Sequence, residues 1–309
     1  MSQALDDREI APGAGPALKR LIAAQLAAFP EHEGFLRRRF AAGADDFCES
    51  LATTIETIAG EDLARLCEDY RWLAGAVLEE ELFFRREGRY RLSSFAEAEA
   101  LVYADPAYMT RYMNGLLLSQ LWWSNHTAVL AWFRDRYLPG NGTQARHLEI
   151  GPGHGLFLLL AEQDGRTESC VGWDISPASL ALVEKTFAAL RRPAPSLLLS
   201  NLFEAQLGRF DSIAFSEVLE HLEAPAEALA RVHDLLAPGG RAFINAPVNS
   251  PAPDHITLFE TPEAIVDLVL AAGLEIEDVL LAPAAGASLD RARKLKLAIS
   301  TVVIARRPL

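Results

Sequence analysis

The 309-residue chain lacks the marks of secreted and membrane proteins. Its three cysteines, Cys48, Cys67 and Cys170, are an odd number without a Cys-x-x-Cys pair, so neither a disulfide framework nor a zinc ribbon is indicated. No apolar run approaches the roughly 18 to 20 residues that cross a bilayer, and the N-terminus lacks a basic-then-apolar signal pattern. These absences predict a reduced, cytoplasmic protein.

Positive charge is scarce as well. The net charge is −13, with 15 Lys and Arg against 21 Asp and Glu in residues 1–140 and 14 against 21 in residues 141–309. A phosphate backbone would repel either half at long range. The densest basic run, residues 37–39, is more simply a solvated helix face. We therefore expect neither nucleic acid nor a membrane as a partner.

The N-terminal half has the pattern of helices. Residues 1–16 are polar and rich in turn formers, which predicts a flexible N-terminus. Residues 17–140 carry apolar side chains at three-to-four-residue spacing, with a break expected at Gly60. We predict that they form a helical lid or dimerisation domain.

Three local features are predicted within and after these helices. Residues 82–92, LFFRREGRYRL, place a Glu-Gly pair between two short β-prone runs, which predicts a hairpin. Asp105 precedes Pro106 and is expected to cap a helix that continues to Leu138. The stretch PGNGT at 139–143 is the predicted domain boundary.

In residues 141–309, short apolar strands alternate with helices. This alternation predicts an α/β fold, a doubly wound, mostly parallel seven-stranded sheet with helices on both faces. Such sheets bind ligands just beyond the carboxyl ends of their strands. The predicted strands lie in ARHLEI, SCVGWDI, SLLLSN, FDSIAFSEV, PGGRAFINAPV, LEIEDVLLAP and KLAISTVVIARR.

The strongest local signal is HLEIGPGHG, residues 147–155, where a strand leads through three alternate glycines into a helix. Gly151, Gly153 and Gly155 let the backbone turn tightly and approach a ligand closely. A dinucleotide loop needs a further glycine where Leu156 stands. Glu149 would also face a pyrophosphate unfavourably, whereas it suits a cation such as the ammonium of S-adenosylmethionine.

Asp174 supplies the second element of the predicted cofactor site. It lies 23 residues after Gly151, in GWDIS at the end of the next predicted strand. A carboxylate there can accept hydrogen bonds from both hydroxyls of a ribose. A glycine loop alone is often only a turn, and a strand-end Asp alone is often only a helix cap. The two together at this spacing favour a nucleoside cofactor.

Residues 145–285 resemble the class I S-adenosylmethionine-dependent methyltransferases over the whole domain and in motif order. The motifs are EIGPGHG, GWDIS, SNLFE, FDSIAFSEVLEHL, LLAPGGRAFINAP and HITLFETPEAIVDLVLAAGLEI. The resemblance implies that the first three motifs border, in turn, the amino-acid end, the ribose and the adenine of the cofactor. In the third motif, Asn201 stands in place of a frequent Asp. The cofactor-binding residues it implies are Glu149, Gly151, Gly153, Gly155, Asp174, Ile175, Asn201, Leu202, Ser216 and Glu217.

The N-terminal half resembles, more loosely, the winged-helix-like dimerisation region of small-molecule O-methyltransferases, which implies a substrate lid and a possible homodimer. Residues 103–126 are rich in Tyr, Trp, Met, Asn and His. On one continuous helix, Trp122 and His126 would share a face. Most of these side chains are more simply core residues, but aromatic rings beside a sulfonium can also attract it. We expect pocket residues among Tyr108, Tyr112, Trp123, Asn125 and His126.

Methyl transfer from a sulfonium requires alignment, exclusion of water and, for a hydroxyl nucleophile, a general base. The candidate bases are Glu217, His221 and His255, each of which also has a purely structural interpretation. No metal is expected, because the Glu and His of EHLE have no second convergent group in the sequence.

Three functions remain open. The first is methyl transfer to a small molecule, of the kind found in specialised metabolism. In the second, S-adenosylmethionine is itself the substrate, and its amine attacks its own γ-carbon to give azetidine-2-carboxylate and methylthioadenosine. The aromatic stretch 103–126 permits that reaction. The third is a non-catalytic cofactor-binding scaffold.

Overall fold

A computed structural model describes residues 9–204 and 208–309. The first eight of the sixteen residues predicted to be flexible lie outside this range, whereas Ala11 and Ala14 are buried. The helices of the N-terminal half are α1 Pro16–Ala28, α2 Glu33–Arg39, α3 Asp46–Ala59, α4 Leu63–Glu87, α5 Phe95–Ala98, α6 Pro106–Trp122 and α7 Ser124–Trp132.

Two predicted helix signals take the positions that the sequence indicated. Gly60 ends α3 with a φ of 54°, a conformation that glycine adopts without a Cβ clash. The side chain of Asp105 accepts hydrogen bonds from the backbone N–H groups of Ala107 and Tyr108, and Pro106 is the first residue of α6.

Two other predictions in this half are wrong. The hairpin over 82–92 is absent, because α4 is one 25-residue helix that continues to Glu87. Gly88 is its left-handed C-cap, and the described residues of this half contain no strand where a wing would lie. The helix expected to run to Leu138 breaks at Trp123, whose backbone is extended. Trp122 and His126 therefore belong to different helices.

The second half contains the predicted sheet. Its strand order is β3-β2-β1-β4-β5-β7-β6, and only β7 runs antiparallel to its neighbours, which confirms a mostly parallel seven-stranded sheet. The elements are β1 Ala145–Ile150, α8 Leu156–Gln163, β2 Thr167–Asp174, α9 Pro177–Ala189, β3 Ser196–Leu199, β4 Phe210–Ser216, α10 Pro225–Leu235, β5 Leu236–Val248, α11 Pro262–Ala271, β6 Glu275–Pro283, α12 Leu289–Leu295 and β7 Ile299–Arg306.

One of the hydrophobic clusters spans both halves of the chain. It joins Leu18 of α1 and Trp122 of α6 to Phe243 of β5 and Val302 of β7. The helical half is thus packed directly on one face of the sheet, and the boundary at 139–143 stays a prediction. Among the described helices, none combines the length and the apolar composition that a membrane crossing requires.

Candidate active site

The candidate site lies where β1, β2 and β4 end. Because these strands are parallel, their carboxyl ends meet at one edge of the sheet. The strand order reverses direction between β1 and β4, and ligands bind at such switch points in doubly wound sheets. The segment 151–155 leaves β1 at this point and leads into α8.

The three glycines of this loop are required by its conformation. Gly151, Gly153 and Gly155 have φ values of 71°, 52° and 80°. A Cβ on Gly151 would lie 2.7 Å from Val218, and one on Gly153 would lie 3.0 Å from the terminal methyl of Met113. A side chain at either position would therefore fill the space beside the strand end.

Glu149 and Asp174 lie at the ends of neighbouring strands. Glu149 is buried, and its Oε2 has no hydrogen-bond partner. Burial raises the pKa of Glu149 well above its usual value, with a further contribution from Asp174. Burial also raises the pKa of Asp174 to about 6, and the carboxylate accepts a hydrogen bond from the Ser176 N–H. Two acidic groups with raised pKa values at one edge favour a ligand with cationic or hydroxyl donors.

Three further residues predicted to bind the cofactor, of which Asn201 and Leu202 were predicted to flank adenine, follow β2 and β3. Ile175 is 50% exposed, whereas Leu202 is buried in the core. The side-chain oxygen of Asn201 accepts a hydrogen bond from the Phe203 N–H, so its amide NH2 is the group left for a ligand. An apolar side chain and an amide donor are thus present at this end of the edge.

At the end of β4, Ser216 and Glu217 are held by Asn245 of β5. The Asn245 amide donates to Ser216 Oγ at 3.0 Å and to Glu217 Oε1 at 2.7 Å. Glu217 adopts a left-handed backbone with a φ of 55°, which is uncommon for a residue with a side chain. Burial raises its pKa above the usual value of a glutamate. The carboxyl of Glu217 is therefore protonated more readily than a solvent-exposed glutamate.

Glu220, His221 and His255 converge beside Glu217. One potential ligand atom from each lies within 4.8 Å of the other two. Glu220 is fully buried, and neither of its carboxyl oxygens has a hydrogen-bond partner. The prediction that Glu220 and His221 lack a second convergent group is therefore wrong, because the loop after β5 brings His255 to them. Three such groups could hold a cation or a ligand with several donors.

A second carboxylate, Asp254, is fully paired. It accepts hydrogen bonds from Tyr112 Oη at 2.6 Å and from Tyr103 Oη at 3.1 Å. Burial alone would raise its pKa, but His221, His255 and the two tyrosine hydroxyls outweigh burial and lower it. Asp254 is therefore ionised at neutral pH and joins the N-terminal helices to the sheet edge.

The other predicted pocket residues occupy different surroundings. The Tyr108 ring packs edge-on against Trp72, 4.8 Å between centroids. Trp123 donates to the Tyr70 hydroxyl, and Asn125 donates to Ser300 Oγ of β7.

His126 is buried, with its Nδ1 3.0 Å from Ser119 Oγ and 3.2 Å from the Gln120 amide. Burial, with smaller effects of His154 and His255, lowers its pKa to about 3. Of the five aromatic-stretch candidates, Tyr112 is the one that the structure joins to Asp254.

Sequence reasoning missed Asp254, Glu220 and Tyr103. Asp254 and Glu220 each adjoin a histidine that the sequence did single out, in PDHITLF and EHLE. That adjacency was the available signal. The contact between Asp254 and Tyr112 spans 142 residues, so nothing local in the sequence indicates it.

The sequence is similar to those of known methyltransferases. A family model described as a methyltransferase domain matches residues 122–279, just over half of the chain. A ubiquinone biosynthesis O-methyltransferase of Nitrosococcus oceani is 25% identical over 181 residues, which cover 56% of this chain and 71% of that protein. A second such enzyme, of Pseudomonas aeruginosa, is 26% identical over 98 residues, which cover 32% of this chain and 42% of that protein.

Among solved structures, the N-methyltransferase NodS of Bradyrhizobium japonicum in complex with S-adenosyl-L-homocysteine aligns with a TM-score of 0.47 and 17% identity. The alignment covers 60% of this chain and 88% of that one.

Proposed function

The chain belongs to the methyltransferase-domain family and is an S-adenosylmethionine-dependent transferase, and from this premise we propose that it transfers a methyl group to a small-molecule acceptor. The observation that carries the proposal is the convergence of the glycine loop, Glu149 and Asp174 at one edge of the sheet. When bound there, S-adenosylmethionine supplies a methyl carbon that its sulfonium has already activated.

The residues at this edge fit that molecule. The unpaired Oε2 of Glu149 would accept from the ammonium group, and the glycine loop would let the backbone approach the amino-acid end of the molecule closely. Asp174 would accept from the ribose hydroxyls. Ile175, Asn201 and Leu202 would border adenine, and Ser216 and Glu217 would lie beside the sulfonium end.

The acceptor side of the site contains the candidate bases. The Nδ1–H of His255 donates to the Ser250 carbonyl oxygen at 2.6 Å, which leaves Nε2 with its lone pair. Burial lowers the pKa of His255 to about 4, so the ring is neutral at pH 7 and its Nε2 can accept a hydrogen bond, while the same shift makes it a weaker base. His221 uses Nδ1 in the same way toward the Asp254 carbonyl oxygen, at 3.1 Å.

A second reaction is also supported by one observation. The hydroxyls of Tyr103 and Tyr112 bind Asp254, which places two aromatic side chains beside the edge. A site bordered by aromatic side chains suits intramolecular attack by the amine of S-adenosylmethionine on its own γ-carbon, with release of methylthioadenosine and formation of azetidine-2-carboxylate.

One incubation tests these reactions. The protein is supplied with S-adenosylmethionine, first alone and then with candidate acceptors, and the small molecules are analysed by mass spectrometry. S-adenosylhomocysteine that forms only with an acceptor supports methyl transfer. Methylthioadenosine with a cyclic amino acid, formed without any acceptor, supports self-cyclisation. Binding without turnover supports a scaffold, and absence of binding by calorimetry contradicts all three functions.

The proposal includes a cytoplasmic homodimer formed through the helical half, with no nucleic acid or membrane as a partner. In support of the dimer, Leu78 and Leu82 lie one turn apart on α4 and are 57% and 61% exposed. Light scattering after size exclusion tests it. Replacing both leucines with lysine is expected to give a monomer, and a monomeric wild type contradicts it.

A further inference from the structure

We propose that the acceptor is an amine that enters as its ammonium ion, and that Glu220, His221 and His255 receive its N–H groups. This inference rests on the proposed methyl transfer and names the class of acceptor. The observation behind it is a buried carboxylate with no partner, between two imidazoles whose donors are already used.

Glu220 lies where a ligand could satisfy its carboxyl, and its carboxyl interacts with the carboxyl of Glu217. It lies on a short 3-10 turn, Leu219–His221, directly after Glu217 and Val218. Its backbone carbonyl accepts from the Ile256 and Thr257 N–H groups, which fixes the turn against the loop after β5. Its side chain is fully buried, with both carboxyl oxygens unpartnered. An unpaired buried carboxylate is costly, so a ligand that donates to it is favoured.

The two histidines present acceptors, not donors, to the same point. Because each donates its Nδ1–H to a backbone carbonyl, the Nε2 of each ring is the nitrogen left to face a ligand, and it can accept a hydrogen bond when it carries no proton. These Nε2 atoms lie 3.8 Å (His221) and 3.9 Å (His255) from Glu220 Oε1. No hydrogen bond of ordinary length joins either Nε2 atom to Glu220 Oε1, so the three atoms do not satisfy one another.

The number of the acceptors matches an ammonium group. An alkylammonium has three N–H donors, and the cluster offers three acceptors. Acceptors arranged tetrahedrally about 2.9 Å from one nitrogen lie about 4.7 Å apart, whereas ligands about 2.1 Å from a zinc ion lie about 3.4 Å apart. The observed separations of 3.8 and 3.9 Å lie between these values, so the metal arm of the binding test separates the two ligands.

The surrounding charge favours a cation over a phenolate. Glu217 lies beside Glu220 and raises its pKa further, after the larger effect of burial, and Asp254 raises the pKa of both. Within the described part of the chain, the ion-pair partners of Glu220 and Asp254 are imidazoles and not lysines or arginines. An anionic acceptor would raise these pKa values further, whereas an ammonium ion favours the ionised form of the carboxyls that it contacts.

The reaction balances with the groups present. The ammonium releases one N–H proton to solvent. The amine nitrogen then forms a bond to the methyl carbon while the carbon–sulfur bond breaks and its electron pair stays on sulfur. The products are the N-methylated ammonium, S-adenosylhomocysteine and one proton. Nothing is oxidised or reduced.

The test measures binding of 2-phenylethylamine and its neutral analogue 2-phenylethanol by calorimetry, with S-adenosylhomocysteine present. The proteins are the wild type, Glu220→Gln and the matched control Glu227→Gln, which changes an exposed glutamate of α10. We expect the wild type and the control to bind the amine at least tenfold more tightly than the alcohol. We expect Glu220→Gln to lose at least tenfold in amine affinity while its affinity for S-adenosylhomocysteine stays within twofold.

The proposal is overturned if the wild type does not prefer the amine, or if Glu220→Gln binds it as well as the control does. Stoichiometric Mg²⁺ or Zn²⁺ binding that Glu220→Gln abolishes also overturns it, because the cluster is then a metal site. So does methylthioadenosine formed from S-adenosylmethionine alone, because no separate acceptor is then required. Failure of the proposed function is distinguished by loss of S-adenosylhomocysteine binding in the wild type.

Discussion

Two buried carboxylates, one in each half of the chain, differ in their hydrogen bonding. Asp69 of α4 is 1% exposed and accepts from Arg65 Nε at 2.9 Å and from the Asn114 amide at 2.8 Å. Arg111 forms a further ion pair with it at 3.4 Å. Glu220, at the strand edge, is equally buried and has no hydrogen bond to either oxygen.

The difference separates structural from ligand-binding polar groups. Pairing Asp69 fixes α4 against α6 without any ligand. The edge of the sheet instead leaves oxygens of both Glu149 and Glu220 without partners. Because an unpaired buried polar atom costs about 1–3 kcal/mol, such atoms are kept where a ligand repays that cost.

The comparison predicts its largest effect on stability at Asp69. Asp69→Ala removes three polar partners at once and is expected to cost about 3 kcal/mol, reduced from the full cost of a buried pair because both arginines are partly exposed. Thermal unfolding measures it. The neighbouring exposed residue supplies the control, since Glu68→Ala is expected to change stability by less than about 0.5 kcal/mol. Equal melting temperatures for the two variants would contradict a structural role for Asp69.

At the strand edge, Asp174→Asn is expected to act on binding and not on folding. The amide has one acceptor oxygen in place of two, so S-adenosylmethionine affinity should fall about 30-fold, or about 2 kcal/mol. Calorimetry measures the affinity, and the melting temperature without ligand should not fall. Asp234→Asn, at an exposed position of α10, is the control. Unchanged affinity would show that Asp174 does not bind the ribose.

Glu220→Gln is expected to stabilise the protein in the absence of ligand. The pKa of Glu220 is raised in the folded state, so the folded protein holds more protons than the unfolded chain as pH rises above about 4.5. Stability therefore falls with rising pH through that window, and the amide removes this loss. We expect a gain of about 1–2 kcal/mol at pH 8 and almost none at pH 4.5. Destabilisation at pH 8 would mean that the carboxylate has a partner in the protein.

The sequence was informative where structure is local. Each predicted strand of the sheet corresponds to a strand, because apolar runs bounded by turn residues and capped helices depend on neighbours in the chain. The Glu-Gly pair at the end of α4 led to the wrong prediction of a hairpin, because a left-handed glycine fits a hairpin turn and a helix C-cap equally well. The break at Trp123 has neither Gly nor Pro beside it, and the Thr127 hydroxyl binds carbonyl oxygens of the last turn of α6 there.

The candidate site was predictable only in part for the same reason. Glu149 and Asp174 follow from a loop motif and a strand end that adjoin in the chain. The cluster of Glu220 with His255 depends on the loop after β5 folding back 35 residues later. Asp254, next to His255 in the chain, accepts hydrogen bonds from Tyr103 and Tyr112 of the N-terminal half. Such meetings are set by tertiary packing, to which a single sequence gives no direct access.

The smallest expected effects concern the two tyrosine hydroxyls that donate to Asp254. Tyr112 Oη donates to Asp254 at 2.6 Å in a buried position, whereas Tyr103 Oη donates at 3.1 Å and also lies 3.3 Å from His221 Nδ1. Tyr112→Phe is expected to cost about 1.5 kcal/mol, as for a hydrogen bond to a charged group. Tyr103→Phe should cost about 0.5 kcal/mol, because its bond is longer and its site is less enclosed.

A double-mutant cycle with Asp254→Asn isolates the two bonds. If Asp254 is paired like Asp69, the coupling energy with Tyr112 should be about 1 kcal/mol and should exceed that with Tyr103. Urea unfolding at pH 7 supplies the free energies. Zero coupling for both tyrosines would mean that Asp254, like Glu220, is not stabilised by a hydrogen bond within the protein.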